Sequence, residues 1–482
     1  MLLFLRPVLY VAGLMQLIVA GFMTLPLLLE LVSHGPDAEA FFEATLITGA
    51  IALSLTLSTY AEIRQLSVRQ MFLLVVFTWG LTAITCTLPY TISQIDLTFT
   101  DALFEAVAGI TTTNNTVIAD LENQSAGLLL WRALTQWLGG ISVVGMTIVL
   151  FPFMRIGGLQ IFKSEGPDRS DRIFTQARAL STSLISVYFT ISIISALLYH
   201  FAGLNWFDAI THMMATVSTG GFSTHNESLA YYDSLPVLWA AVGGMLLGAL
   251  PFTWFMLLGV DIRRALGDQQ VRNFIALTLL LALALGLWLY YMSDMPLDAA
   301  ATHGLFGIVS MMTTTGLSAG NFLHWGGFVV TLYFILYFVG GCTGSTTGSL
   351  KIFRWNVAFI SLRQQLLKMM LPHRVVSLTY NGKTFSDEVR DSVANFIILF
   401  VMTWLAAALA LSATGLDPVT SISGALAALA NTGQSLSAQY GPGSNFAALQ
   451  DQAKWILSIT MLVGRLEILV AIMTIMPSFW RD

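Results

Sequence analysis

Long apolar runs broken by short polar stretches dominate this chain. They lie near 8–32, 41–59, 71–92, 130–153, 180–202, 236–260, 273–293, 328–342, 393–414 and 454–476. A helix crosses a bilayer with about 20 apolar residues, so ten spans are predicted. The first run is too long for a signal-peptide core and no small-residue cleavage site follows it, which predicts a retained helix. Between the long runs lie four shorter ones, Ala102–Gly109, Ala209–Val217, Ala299–Met312 and Val419–Leu429. None can cross a hydrocarbon core of about 30 Å. Each is predicted to enter and return on one side.

Every short run leads into a patch of small polar residues. The patches read AGITTTNNTVI (108–118), ATVSTGGFSTH (215–225), SMMTTTGLSAG (310–320) and AALANTGQSLS (427–437). Aligned on Thr113, Thr219, Thr315 and Thr432, which recur 106, 96 and 117 residues apart, they make four divergent copies of one unit. The next position is Asn114, Gly220, Gly316 and Gly433. Non-helical backbone at membrane depth must be shielded by protein or face a water-filled cavity, so the four patches are expected to meet around one axis. A half-helix ending there turns a partly negative end inward and favours a cation. Rings of carbonyl oxygens can replace an ion's hydration shell. Glycine supplies the positive φ such a turn needs, and Asn is the best substitute for it, so Asn114 is expected to adopt the same left-handed backbone. The threonine hydroxyls either add oxygen ligands or hold the loops.

Composition fits this picture: 56% of the 482 residues are hydrophobic and only 10% are charged, against about 25% charged in soluble domains. All but three of the 22 Lys and Arg fall in segments that share one side of a ten-span chain. That side, with both termini, is predicted to be cytoplasmic. The exceptions are Arg132 and Lys454, each at the start of a span, and Arg465, inside one. The opposite face is acidic, with Asp37, Asp101, Asp120, Glu122, Asp208 and Asp417 among its carboxylates, and concentrates cations. Cys86 and Cys342 sit far apart in apolar segments and suggest neither a disulfide nor a metal site.

Two further features interrupt the spans. GGCTGSTTGS (340–349) carries four glycines in ten residues and cannot form a stable helix alone; a broken helix at this depth must turn freed carbonyls to a cavity. Arg465 is read as lying about halfway along the last span, with Glu467 two residues later. An ionisable residue at that depth marks a water-filled path. Residues two apart on a helix do not face each other, so each needs another partner.

Together with QWLGGISVVG (136–145), GGCTGSTTGSLKIFR (340–354) and VGRLE (463–467), these patches resemble the Trk/Ktr/HKT superfamily of cation transporters over nearly the whole chain. The resemblance implies an all-α integral membrane protein: two N-terminal helices (1–69) and four helix, pore-loop, helix repeats (70–155, 156–264, 265–390, 391–482) around a pseudo-fourfold pore. It implies potassium uptake across the bacterial inner membrane through a filter of backbone carbonyls. These belong to Thr112, Thr113 and Asn114, to Ser218, Thr219 and Gly220, to Thr314, Thr315 and Gly316, and to Asn431, Thr432 and Gly433. It further implies a gate loop of Gly340, Gly341, Cys342, Thr343, Gly344, Ser345, Thr346, Thr347, Gly348 and Ser349 below the filter, with Arg465 as a positive barrier latching it. Asn114 stands where the family has glycine, and some relatives with a non-glycine there transport sodium.

The resemblance also implies a homodimer in membrane lipid, with K⁺ as bound and transported ion and no other cofactor. Trk-type members are controlled by TrkA, a cytosolic nucleotide-binding ring. A nucleotide site within this chain is not expected, because no Walker-type GxxxxGK[ST] occurs, and nothing asks for nucleic acid. A sodium- or proton-coupled symporter is the alternative; such carriers use buried carboxylates or histidines, and Glu467 is the one intraspan carboxylate singled out. An intramembrane serine hydrolase would need Ser345 as nucleophile within reach of His303 as base, and a fourfold repeat gives no reason for one privileged pair.

Overall fold

The structure, a computed structural model, describes residues 2–60, 66–154, 171–293, 295–371, 377–437, 439–441 and 445–480, with side chains described for these except 2, 3 and 147–181. The basic loop at 155–170, Arg64, Asp294, Arg374 and the C-terminal Arg481 lie outside the described residues. The protein is an all-helical, multi-pass membrane protein. Six described helices are each long and apolar enough to cross a bilayer, and two bent pairs bring the number to eight. The two remaining apolar runs fall on helix Ala126–Met154 and on helix Gly327–Leu336, which is only 10 residues long.

Two runs read as single spans are broken. Leu235–Ala249 and Phe252–Leu258 meet at 94° across Pro251, and Asp451–Arg465 and Ile468–Ile475 meet at 109°. Arg465 therefore ends a helix and does not lie within a continuous one. Glu467, at φ 59°, makes the corner. A two-stranded hairpin, Thr379–Tyr380 with Lys383–Thr384, adds the only strands among the described residues.

The four short runs are four short helices: Phe99–Ile110, Trp206–Val217, Leu297–Met312 and Pro418–Leu429. Twelve residues of helix rise about 18 Å, far less than the bilayer core. Three begin at a side-chain cap written in the sequence. Thr98, Asn205 and Asp417 accept the amides of Asp101, Asp208 and Thr420 at 3.2, 2.9 and 3.0 Å, supplying orphan N–H groups with acceptors. All four run inward to buried C-terminal ends.

The two N-terminal helices, Leu2–Ser33 and Ala38–Ser58, pack on each other, and the first also meets Val68–Thr85 and Ala126–Met154. Buried Gln16 fixes that seam, donating to Thr82 Oγ1 and accepting from Thr85 Oγ1, both at 2.8 Å. The ring of short helices closes where the first meets the last span. There Lys454 Nζ lies 2.5 Å from Asp101 Oδ1, and the Phe446 amide donates to the Thr116 carbonyl at 2.8 Å.

A second ion pair anchors the same short helix from behind. Glu105 is fully buried and takes Arg132 Nε at 2.8 Å; the guanidinium also donates to the Ser223 carbonyl and Thr116 hydroxyl and stacks 4.2 Å over Phe222. Removing one partner of a buried pair strands the other charge, at about 3–5 kcal/mol. Arg132→Met is expected to lower stability by that amount, and Arg132→Met with Glu105→Gln by less, measured as thermal unfolding of purified protein in detergent.

Candidate functional site

Each short helix ends in the same turn. The amides of Thr113, Gly220, Thr315 and Thr432 reach back to the carbonyls of Ala108, Ala215, Ser310 and Ala427 at 2.8, 2.8, 3.0 and 2.9 Å. The preceding amides, of Thr112, Thr219, Thr314 and Asn431, bond to Gly109, Thr216, Met311 and Ala428. This is the paired bonding of a Schellman motif, whose left-handed residue is usually glycine. Here it is Thr112 (φ 52°), Thr219 (φ 55°), Thr314 (φ 56°) and Asn431 (φ 54°). A left-handed backbone costs an ordinary residue about 1–2 kcal/mol, and β-branched threonine is a true outlier there.

The shared hydrogen bonds correct the alignment of the second repeat by one residue. Thr219 matches Thr112, Thr314 and Asn431; Gly220 matches Thr113, Thr315 and Thr432; and Gly221, not Gly220, matches Gly316 and Gly433. Ser218 falls back to the helix cap, beside Thr111, Thr313 and Ala430. A second correction concerns Asn114. Gly221, Gly316 and Gly433 have φ of 82°, 72° and 91°, whereas Asn114 is not left-handed. Its side chain, unlike glycine's hydrogen, lies among the other repeats.

The four turns meet. A Cβ on Gly221 would sit 1.9 Å from the Thr315 carbonyl oxygen, one on Gly316 2.2 Å from that of Thr432, and one on Gly433 2.4 Å from the Asn114 nitrogen. Repeat two abuts three, three abuts four, and four abuts one. Glycine is required at these points because backbone meets backbone.

Surrounding side chains hold this arrangement. Gln136 donates to the Gly220 carbonyl at 2.8 Å and accepts the Phe222 amide at 3.0 Å; the Tyr337 hydroxyl donates to the Gln434 carbonyl; Asn431 Nδ2 donates to Thr113 Oγ1 and the Met461 carbonyl, both at 3.0 Å. Several threonine hydroxyls hold the loops: Thr113 meets Thr111 at 2.9 Å and Thr315 meets Thr313 at 2.7 Å. Those of Thr112 and Thr432 are buried without a protein partner. No three His, Cys, Asp or Glu side chains come together as a metal site among the described residues. The side-chain amide oxygens of Asn431 and Gln434 at the turns are likewise buried without a protein partner.

The loop at 340–349 lies against the helix-proximal side of the turns. Thr346 Oγ1 sits 3.0 Å from the carbonyls of Val217 and Gly248 and accepts from Thr219 Oγ1 at 3.3 Å. The Gly348 amide donates to Thr314 Oγ1 at 2.8 Å, and a Cβ on Gly348 would lie 2.1 Å from the Ala430 carbonyl oxygen. The loop thus touches three of the four turns. Gly340 and Cys342 anchor it through amide bonds to the Leu350 and Ala249 carbonyls at 2.8 and 3.0 Å, and the Gly344 carbonyl accepts from Phe252 at 3.0 Å. Gln270 Nε2 reaches the Thr343 carbonyl at 3.4 Å, the Ile352 backbone amide donates to the Gly341 carbonyl at 3.1 Å, and the Ser349 hydroxyl donates to the Tyr337 carbonyl.

Three cations bear on this loop. Arg465 Nη1 donates to the Thr346 carbonyl at 2.8 Å, while its Nε and Nη2 are buried without a protein partner. Buried Lys351 donates to the Thr347 carbonyl and, at 3.0 Å, to its hydroxyl. Arg354 pairs with Glu467 at 2.6 Å and stacks 3.6 Å over Phe396. A cavity lined by Ser345, Thr347, Asn431, Lys351, Arg465 and Glu467 opens beside the loop. Arg465 and Glu467 thus find different partners, as expected.

The sequence alone pointed to no role for Gln136 or the Glu105–Arg132 pair; the breach of charge sidedness at Arg132 was the usable signal. Nor did it single out Glu30, which lies within the first apolar run. Glu30 is buried and accepts the amides of Asp37 at 3.1 Å and Gly127 at 2.5 Å. The hydrolase pair does not form: Ser345 Oγ lies 2.6 Å from the Cys342 carbonyl and 2.8 Å from Thr347 Oγ1, while His303 meets Trp325 edge-on.

Comparison with known proteins agrees with this architecture. The family profile described as TrkH, cation transport protein, matches residues 38–481. The chain is 38% identical to the Trk system potassium uptake protein TrkI of Halomonas elongata, over 99% of this chain and 97% of that one. It is 30% identical to the Trk system potassium uptake protein TrkH of Escherichia coli K12, over 99% of both. The crystal structure of the potassium transporter TrkH from Vibrio parahaemolyticus superposes with a TM-score of 0.91 at 29% identity, covering 99% of each chain.

Gln136→Leu leaves the Gly220 carbonyl and Phe222 amide unpaired in a buried site, at about 1–3 kcal/mol each. The variant is expected to lose roughly 2–6 kcal/mol in detergent unfolding. Ser142→Ala, which removes only a hydroxyl bonded to its own helix, is expected to change stability by less than about 0.5 kcal/mol.

Proposed function

The chain belongs to the TrkH family of cation transport proteins, and we propose that it takes up potassium across the bacterial inner membrane through a ring of backbone carbonyls at the four turns. The observation that carries this reading is one strained, left-handed turn built four times, from Thr112, Thr219, Thr314 and Asn431, at buried helix ends. Such strain persists only where the surroundings over-determine it, and it gathers at functional sites. The converging helix ends favour a cation, and carbonyl rings can strip its water. The lining residues are Thr112 to Asn114, Thr219 to Gly221, Thr314 to Gly316 and Asn431 to Gly433. Relatives named as potassium uptake proteins make K⁺ the substrate of choice.

The loop at 340–349 is the gate. It lies across the exit from three turns, and Arg465 and Lys351 bind consecutive carbonyls of it, at Thr346 and Thr347. Both place positive charge where a cation would leave, which raises the barrier while the loop is in place. Helix Ile352–Met370 continues directly from the loop. A cytosolic nucleotide-binding ring of the TrkA kind would act through it, on a homodimer with cytoplasmic termini.

Purified protein in liposomes is expected to conduct K⁺, and Gly316→Asp or Gly433→Asp to abolish the flux while each variant keeps the elution profile of the parent. Flux surviving in both would overturn the filter assignment. Arg465→Ala combined with Lys351→Gln removes both clamps and is expected to raise flux without any partner by about tenfold, the scale of one charged hydrogen bond. An unchanged or lower flux would reject the latch.

A further inference from the structure

Asn114 stands in the position of Gly221, Gly316 and Gly433, and its side chain does what a glycine cannot. Nδ2 donates to the Gly316 carbonyl at 2.6 Å, in the repeat two places away around the ring. A Cβ on Gly221 would lie 3.0 Å from Asn114 Cγ and Nδ2, and one on Gly316 3.2 Å from Asn114 Cβ. Gly433 abuts the Asn114 backbone. A residue that touches all three counterparts and bonds to the opposite one reaches across the middle of the ring. The gate loop contacts Thr219 and Thr314, two residues earlier in each turn, so this level is the end of the ring away from the gate.

Gly316 carries a second donor, Gln434 Nε2. A carbonyl oxygen has two lone pairs, and both are engaged by amides. We infer that the Asn114 amide is a tethered occupant of the glycine-level cation site, which an alkali cation must displace before it can be held there. This rests on the carbonyl-ring reading proposed above and adds what governs occupancy of one level. The amide N–H carries partial positive charge to the carbonyl that would otherwise face the ion. The competent fraction of sites is lowered by the amide-in state, and apparent affinity falls in the same ratio.

The test is K⁺ uptake into liposomes as a function of external K⁺, for Asn114→Gly and Asn114→Ala beside the parent. Both remove the amide without adding charge. Both variants are expected to lower the K⁺ concentration for half-maximal flux by about fivefold, the scale of one neutral hydrogen bond. If either variant raises that concentration or ends the flux while folding as the parent does, Asn114 is a ligand and the inference fails. It fails equally if neither variant shifts the concentration. Should Asn114→Gly not fold, Asn114→Ala alone decides, and no decrease overturns the inference. Loss of the carbonyl-ring reading is registered separately, by flux surviving both Gly316→Asp and Gly433→Asp.

Discussion

Backbone that leaves a helix within a bilayer has nothing to bond to except other protein or trapped water. This chain meets that constraint four times over by setting its four short helices end to end around one centre. Three of the turns touch the following helix of their own repeat, at Gly139, Gly248 and Gly464, but no turn is shielded by its own repeat alone. Gly221 lies against Thr315, Gly316 against Thr432, and Gly433 against Asn114, so each turn is covered only when the next is in place. The short helices, the helix breaks and the buried ion pairs are all arranged around that mutual dependence.

The three basic residues that break the cytoplasmic charge pattern are the clearest sign of it. Lys454 pairs with Asp101 and Arg132 with Glu105, both on the first short helix, and Arg465 reaches the loop beneath the turns. The first short helix is where a linear chain of four repeats must close on its own end. The Lys454–Asp101 pair spans that closure, while Arg132, paired within the first repeat, ties it to the Ser223 carbonyl of the second; both supply directional contacts that apolar packing between lipid-facing helices does not. Charges costly at membrane depth are retained where they fix a closure that hydrophobicity cannot specify.

The repeat, the four short helices and the interrupted segment at 340–349 were legible in the sequence, because length against bilayer thickness and glycine density are physical limits that one chain displays by itself. The register of the second repeat was not. In STGGF either glycine can follow the threonine, and only the amide bond from Gly220 back to Ala215 decides. Asn114 misled for a related reason: tolerance of left-handed backbone is a property of the residue and does not oblige it to adopt one, and Asn114 is not left-handed although Gly221, Gly316 and Gly433 at the matching positions are. The corner after Arg465 was hidden because VGRLE has neither proline nor a positive-φ glycine to announce it, and Glu467 takes the strained position instead.

The loop and the turns are not separate devices. Thr346 supplies a hydroxyl to the Val217 carbonyl, one of the acceptors a helix leaves unmade at its C-terminus, and the Gly348 amide uses the Thr314 hydroxyl. The contacts that hold the loop against the turns are therefore also contacts that finish a helix end. Water can make the same bonds once the path is wet. Exchanging loop for water leaves the hydrogen-bond count nearly unchanged, so the position of the loop is decided by the remaining terms: the Arg465 and Lys351 clamps and the pull of the helix that follows it. A loop held this way moves at little cost in hydrogen bonds, as the gate proposed for it requires.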